Sequence, residues 1–172
     1  MANEHLRHTM RNEVLASGLV EYLEAKGFSG WPRCQRLTGK VIHEISLDEE
    51  RTWRRDAIRF DLILCVYSEE IYRASSPPRP ESWPMISMVT ASLFQMITGE
   101  KGMGWPIRSD DHGDHTSVLK LMIAGLERVG LPFLDRIQNS GDVIQVMTTT
   151  EFSGFDSEFT QRIVEGYRSK HP

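Results

Sequence analysis

No run in this chain of 172 residues approaches the ~20 apolar residues a membrane-spanning helix needs; the longest candidate is Leu62 to Tyr67. With a mean hydropathy of -0.36, the sequence predicts no membrane span. Cysteine is scarce. The two present, Cys34 and Cys65, lie in strand-like segments, where a buried reduced thiol acting as a small hydrophobe is the commoner outcome. The first residues, Met1 to His8, mix charges and lack the apolar stretch of a secretory signal, so a cytoplasmic location is expected. Strong charge is missing too. A net charge of -4 and a pI near 5.9 argue against bulk electrostatic binding to nucleic acid or to an anionic membrane. There are no repeats and no low-complexity tract.

The apolar fraction of 40% and charged fraction of 26% are ordinary for a globular chain of single-domain size, so residues 1–172 are read as one domain. Leu15, Leu19, Tyr22 and Leu23 recur at helical spacing between Asn12 and Lys26, and Gly27 is the natural stop. Arg33 to Thr38 reads as a short strand closed by a Gly39-Lys40 turn. Val41, His43, Ile45 and Leu47 then alternate with Ile42, Glu44 and Ser46. Ile58 through Tyr67 is the best central strand, and three successive strands imply an antiparallel meander. Pro77, Pro78, Pro80 and Pro84 make residues 74–84 a surface loop. Met85 to Ile97 is read as a fourth strand, although Val89, Leu93, Met96 and Ile97 also suit a helix face. Ser117 to Val129 predicts an amphipathic helix capped by Asp114 or Thr116 and ended by Gly130. Asp156 to Tyr167 predicts a last helix. The fold class expected is α+β: an antiparallel sheet of about four or five strands with helices packed on one face, in two layers.

Chemistry-bearing residues concentrate in one place. Asp110, Asp111, His112, Asp114 and His115 offer carboxylate and imidazole ligands suited to zinc, manganese or iron. None of their spacings matches a helical His-Glu-x-x-His pair, and the plainer reading is a solvated loop whose last acid caps the next helix. His43 sits on an apolar strand face, where a hydrogen-bonded core imidazole is commoner than a general base. Ser46 has no nucleophile elbow around it. Cys34 has Arg33 and Arg36 beside it, but adjacent strand residues point to opposite faces. Arg51, Trp53, Arg54, Arg55 and Arg59, with Arg33 and Arg36, form a potential basic patch, interleaved with Asp48, Glu49, Glu50 and Asp56. Gly99, Gly102 and Gly104 lack the Lys-Ser/Thr of a phosphate loop. Three of the four tryptophans, Trp31, Trp83 and Trp105, adjoin proline, so they either line a recognition surface or seal core edges.

The order of segments also resembles a known family. The helix ending in Gly27-Phe28, the strands Trp31 to Leu37, Ile42 to Leu47 and Phe60 to Val66, and the proline-broken stretch carry the likeness. So do Leu93 to Ile107 with Trp105, and the helix closing in Gly130-Leu131-Pro132-Phe133-Leu134. Over residues 10–137 these are similar to an uncharacterised bacterial domain family, the DUF 4304 type. That resemblance implies a small α+β fold and no activity or catalytic residues. The chain departs from the pattern in its proline-rich insertion and in a C-terminal helical extension, residues 148–172.

For function the sequence favours a non-enzymatic module whose partner is a protein, of the kind that neutralises toxins. Trp53, Arg54, Arg55, Trp83 and Trp105 are its expected binding surface. No cofactor is expected. One alternative is a metal-dependent hydrolase holding a divalent ion at Asp110, Asp111, His112, Asp114 and His115. The other is nucleic-acid binding through Arg51 to Arg59, which the acidic composition disfavours.

Overall fold

The computed structural model describes residues 8, 12, 14, 16, 18–51, 57–74, 86–101, 104–108, 112–150, 152 and 157–171; the side chains of 50, 51, 57, 107, 108 and 112–115 are outside the description. The elements in chain order are α1 (Leu19–Ala25), β1 (Arg33–Thr38), β2 (Val41–Arg51), β3 (Ala57–Tyr67), α2 (Glu69–Ala74), β4 (Val89–Ser92) and α3 (Leu93–Thr98). There follow β5 (Trp105–Arg108), α4 (His112–Gly125), a π turn (Leu126–Gly130), α5 (Leu131–Asp135), α6 (Ser140–Thr149) and α7 (Ser157–Lys170).

The five strands make one antiparallel sheet in the order β1-β2-β3-β4, with β5 paired to β3 beyond the end of β4. This is the α+β arrangement the alternation predicted. The tight turn at Gly39, φ 58°, sets the β1–β2 register: Cys34 faces Ile45, and Arg36 faces His43. The same alternation continues into β3, where His43 pairs Val66 and Ile45 pairs Leu64. Cys34, Val41, His43, Ile45, Phe60, Leu62, Leu64 and Val66 therefore share one buried face. The core on this face extends from Val14 in the N-terminal region to Ile163 and Val164 of α7. Arg33, Gln35, Leu37, Ile42, Glu44, Cys65 and Tyr67 occupy the second face. Among the described residues no helix is long and apolar enough to cross a membrane.

Several elements differ from the sequence reading. Gly18, in the left-handed region at φ 79°, stands at the start of α1 and interrupts the single helix expected from Asn12. Met85 to Ile97 is not a strand throughout: β4 ends at Ser92, whose hydroxyl accepts the Gln95 N–H at 3.0 Å and starts α3. The short helix α2 was not foreseen, because its six residues are fewer than two helical turns and give periodicity little to act on. α4 begins at His112, so Asp114 and Thr116 lie inside the helix rather than capping it. The proline-rich loop expected over residues 74–84 falls outside the described residues beyond Ala74.

Gly130 does not end a helix either. Its backbone stays right-handed, and helical structure continues from α4 through the π turn into α5. The Leu131 N–H bonds the Leu126 carbonyl five residues back. Pro132 explains the widening, since it has no N–H to give and its ring collides with the fourth carbonyl back in a regular helix. Gly130 is needed for space: a Cβ there would lie 2.9 Å from Leu126 Cδ1, 3.2 Å from Leu93 Cδ1 and 3.3 Å from Leu64 Cδ1.

Those three leucines are fully buried, so they cannot swing aside into solvent. Gly130→Ala is expected to lower stability by roughly 1–2 kcal/mol, because overpacking outweighs alanine's better helix propensity. Gly125→Ala collides with the end of Ile97, a side chain on a residue 42% exposed, and reaches Leu93 only at an ordinary contact of 3.8 Å, so it is expected to be neutral or stabilising by up to about 1 kcal/mol. Urea unfolding of the two variants beside the parent chain makes the comparison, and equal losses would contradict the packing argument.

Candidate functional site

Strand alternation places a polar cluster in the middle of the sheet's second face. Glu44, only 1% exposed, pairs in register with Gln35 on one side and Cys65 on the other. Arg33 donates to Glu44 Oε1 from Nε at 3.1 Å and from Nη2 at 2.9 Å, and the Tyr67 hydroxyl donates to the same oxygen at 3.2 Å. Gln35 Nε2 donates to Oε2 at 2.5 Å. Both carboxylate oxygens are thus engaged, which suits Glu44 to holding its neighbours in place rather than to accepting a substrate proton. Burial pushes the Tyr67 phenol up to about 12, helped by Cys65 and Glu44 beside it, so it stays a donor at neutral pH. The partner guanidinium is raised by its bond to Glu44.

One pleat toward the β1–β2 turn, Leu37, Ile42 and Tyr67 form a cross-strand row. Facing the row is α2, and the space between them is a hollow of about 480 Å³ lined by Leu37, Lys40, Ile42, Tyr67, Glu69, Glu70 and Arg73. Its floor is apolar and its rim charged. Leu37 is 73% exposed, a large apolar side chain left in water on an ordered strand. On the rim, Arg73 pairs with Glu69 one turn away, while Glu70 accepts from the Ser140 hydroxyl at 2.6 Å and lies 3.6 Å from His171 Nε2, an ion pair only when that imidazole is protonated. Ser140 also bonds the buried Ser68 hydroxyl at 2.9 Å. A carboxylate standing between hydroxyl and imidazole leaves the imidazole no route to the serine proton, so this trio is not a nucleophilic triad.

On the core face, His43 is fully buried, and its Nε2 lies 2.6 Å from the Ile137 carbonyl. That carbonyl fixes Nε2 as the donor and leaves Nδ1 to accept from Arg36 Nη2 at 3.1 Å. Burial, with the Arg36 cation beside it, holds His43 below its ordinary value against the pull of Ile137 and Asp135. It is the hydrogen-bonded core imidazole that the strand pattern favoured.

The other predicted residues divide sharply. Arg33 and Arg36 face opposite sides of the sheet, so they do not join one basic patch. Cys34 is buried on the core face and burial pushes its thiol up, the reverse of activation; Cys65 lies on the second face, also buried, free and raised by burial. Trp105 is half-buried in β5, its ring edge-to-face with Phe94 at 5.1 Å. Trp53, Arg54, Arg55, Trp83, Asp110 and Asp111 lie outside the described residues. His112, Asp114 and His115 have helical backbone, with their side chains outside the description. Among the described residues, no group of three His, Cys, Asp or Glu converges to hold a metal ion.

The hollow itself was missed in the sequence, where Leu37 read only as a strand residue. Its signal was present in the pairing of an apolar residue with polar Arg33 and Gln35 on one face. Comparison with protein-family models, with curated proteins and with solved structures finds no match.

Truncating the buried carboxylate, Glu44→Ala, is expected to cost roughly 1–3 kcal/mol, because the Tyr67 hydroxyl loses its acceptor inside the protein; urea unfolding measures it. A loss below a few tenths would mean that water replaces the carboxylate freely. The His43 arrangement sets a pH dependence of known sign. Its folded value lies below the ordinary 6.5, so the unfolded chain takes up this proton first as pH falls. The stability it contributes as a neutral group is present above that value and is lost as pH drops through the folded one. Between about pH 7 and pH 5, the parent is expected to lose stability more steeply than His43→Gln, by up to about 1.4 kcal/mol per pH unit. Equal slopes would mean that His43 protonates as readily folded as unfolded.

Proposed function

We propose that the chain is a non-enzymatic binding module that holds a protein partner in the cytoplasm, with the hollow between the Leu37-Ile42-Tyr67 row and α2 as its contact site. The observation that carries this reading is the exposed Leu37 at the floor of a hollow built from ordered strands and rimmed by charge. Such a site offers a partner an apolar anchor point with a polar surround, the composition of an interaction hot spot. The groups that would carry catalysis elsewhere are engaged in the fold: Glu44 by three donors, His43 by Arg36 and Ile137. Two buried, unpaired thiols on opposite sheet faces fit a reducing compartment. The order of segments that resembles the DUF 4304 type is compatible with this reading and supplies no chemistry of its own.

The test is affinity capture of partners from the source cell on the immobilised full chain, in parallel with Leu37→Asp. Leu37 is exposed, so the substitution is expected to leave the melting temperature within a few degrees. Removing a buried leucine anchor from the complex costs about 1.5–3 kcal/mol, so a protein held by the parent should bind roughly 10- to 100-fold more weakly to the variant. A captured protein that binds both equally would place the contact elsewhere and overturn the assignment of this site.

A further inference from the structure

We infer that the α2 wall of the hollow is set by the C-terminal end of α7, which acts as a clamp: the wall stands while that end is docked and opens when it is released. Its use rests on the reading of the hollow as a protein contact site. α2 has six residues, too few to keep a helix in water by themselves. Its first turn is fixed by the segments beside it. The Ser68 hydroxyl, directly after β3, accepts the Ile71 N–H at 3.2 Å, and Ser140 of α6 donates to Glu70 at 2.6 Å. The second turn meets α7. Ala74 ends α2, where a carbonyl has no partner within its own helix, and Lys170 Nζ donates to that carbonyl at 3.3 Å. Gly166, one turn before Lys170, comes so near that a Cβ there would lie 3.1 Å from the same oxygen. Tyr167 and His171 make the adjoining row: their rings stack at 4.6 Å, and His171 Nε2 lies 3.6 Å from Glu70.

The clamp can let go without unfolding the rest of the chain. α7 places Thr160, Ile163 and Val164 in the interior, all before Glu165. From Glu165 to His171 no residue is buried, and Tyr167 is half-buried at the edge of the core. Few buried apolar contacts mark a segment that opens locally, at a free energy well below that of global unfolding. Release takes the α7 partners from the Ala74 carbonyl and from Glu70, and Arg73, which lines the hollow from the same turn of α2, goes with them. Leu37, Ile42 and Tyr67 belong to β1, β2 and β3 and keep their places. The floor of the site is therefore permanent and its α2 wall conditional. By linkage, whatever holds the α7 end firms the wall, and a partner seated against the wall tightens the α7 end in return.

Hydrogen exchange of the full chain, followed by mass spectrometry, tests this with no partner present, so its outcome does not depend on whether the hollow binds a protein. Gly166→Leu wedges α7 away from the Ala74 carbonyl while raising helix propensity, so faster exchange in α2 would not come from a weakened α7 helix. Lys170→Ala deletes one bond at an exposed residue, and Arg168→Ala, exposed and outside both rows, is the control. The expected result is exchange about 10-fold faster over residues 69–74 in Gly166→Leu and roughly 3- to 10-fold faster in Lys170→Ala, with β1, β2 and β3 at the parent rate and Arg168→Ala unchanged throughout. α2 amides that keep the parent rate in Gly166→Leu would overturn the clamp, because the wall then stands without α7. If Gly166→Leu exchanges faster across the whole sheet, Lys170→Ala decides, and an unchanged α2 in that variant overturns the inference. A Leu37-dependent partner, once captured, should bind Gly166→Leu several-fold more weakly than the parent. Equal binding beside faster α2 exchange would overturn the coupling to function and leave the hollow as the contact site.

Discussion

One guanidinium holds the parts of this molecule together. Arg36 projects from β1 onto the core face, where it reaches three separate pieces of chain. It lies 4.5 Å from the Phe28 ring and donates to the Lys26 carbonyl at 3.2 Å, fixing the end of α1. It bonds His43 on β2 and pairs with Asp135 at the end of α5, 2.6 Å away. His43 then hands the connection on to Ile137, so two side chains close a ring from the sheet to the segment that leads into α6. Asp135 is 58% exposed and its ion pair is screened, worth no more than about 1 kcal/mol. The contact with fully buried His43 involves a cation whose side chain is only 18% exposed, and a hydrogen bond from a charged donor contributes roughly 1.5–3 kcal/mol there, whereas the bond to the Lys26 carbonyl is exposed. The buried half of the knot, not its surface ion pair, carries the larger share.

This knot frees the other face of the sheet for a different use. With the helices anchored on the core face through Arg36, His43 and the leucines around Gly130, the second face can carry Arg33, Gln35, Glu44 and Tyr67. That cluster adds order without adding greasy surface. A buried carboxylate is tolerable only when its lone pairs are filled, and Glu44 meets that condition with three different side chains. The outcome is a rigid polar platform next to an apolar row. α2, tied to α7 through the Lys170 and Ala74 contact and to α6 through Glu70 and Ser140, closes the hollow from the side.

Period-two alternation made β1, β2 and β3 readable, because a strand with one buried face cannot hide its register. Arg33 to Thr38 and the Gly39 turn came out as the residues indicated, and so did His43 as a satisfied core imidazole. The helical segments were harder. Gly130 followed by Leu-Pro reads locally as a stop, yet the helix passes through it, since a π turn absorbs the proline and the missing Cβ lets Leu64, Leu93 and Leu126 close in. Met85 to Ile97 was ambiguous for a related reason: four residues of strand followed by six of helix average to no clear period over the window that periodicity needs.

The sequence by itself determined the class of fold, the pairing of the first three strands, the burial of both thiols and of His43, and the lack of any apolar stretch long enough to span a membrane. All of these follow from local spacing and composition. Only the tertiary structure decided that Arg33 and Arg36 serve opposite faces in separate networks, that Glu44 is neutralised at the centre of the second face, and that Leu37 lies exposed beside Lys40 under α2. These facts depend on contacts between residues distant in sequence, Arg36 with Asp135 and Glu70 with Ser140 among them. A one-dimensional pattern reports which side of its own element a residue lies on, but not which residue of another element meets it there.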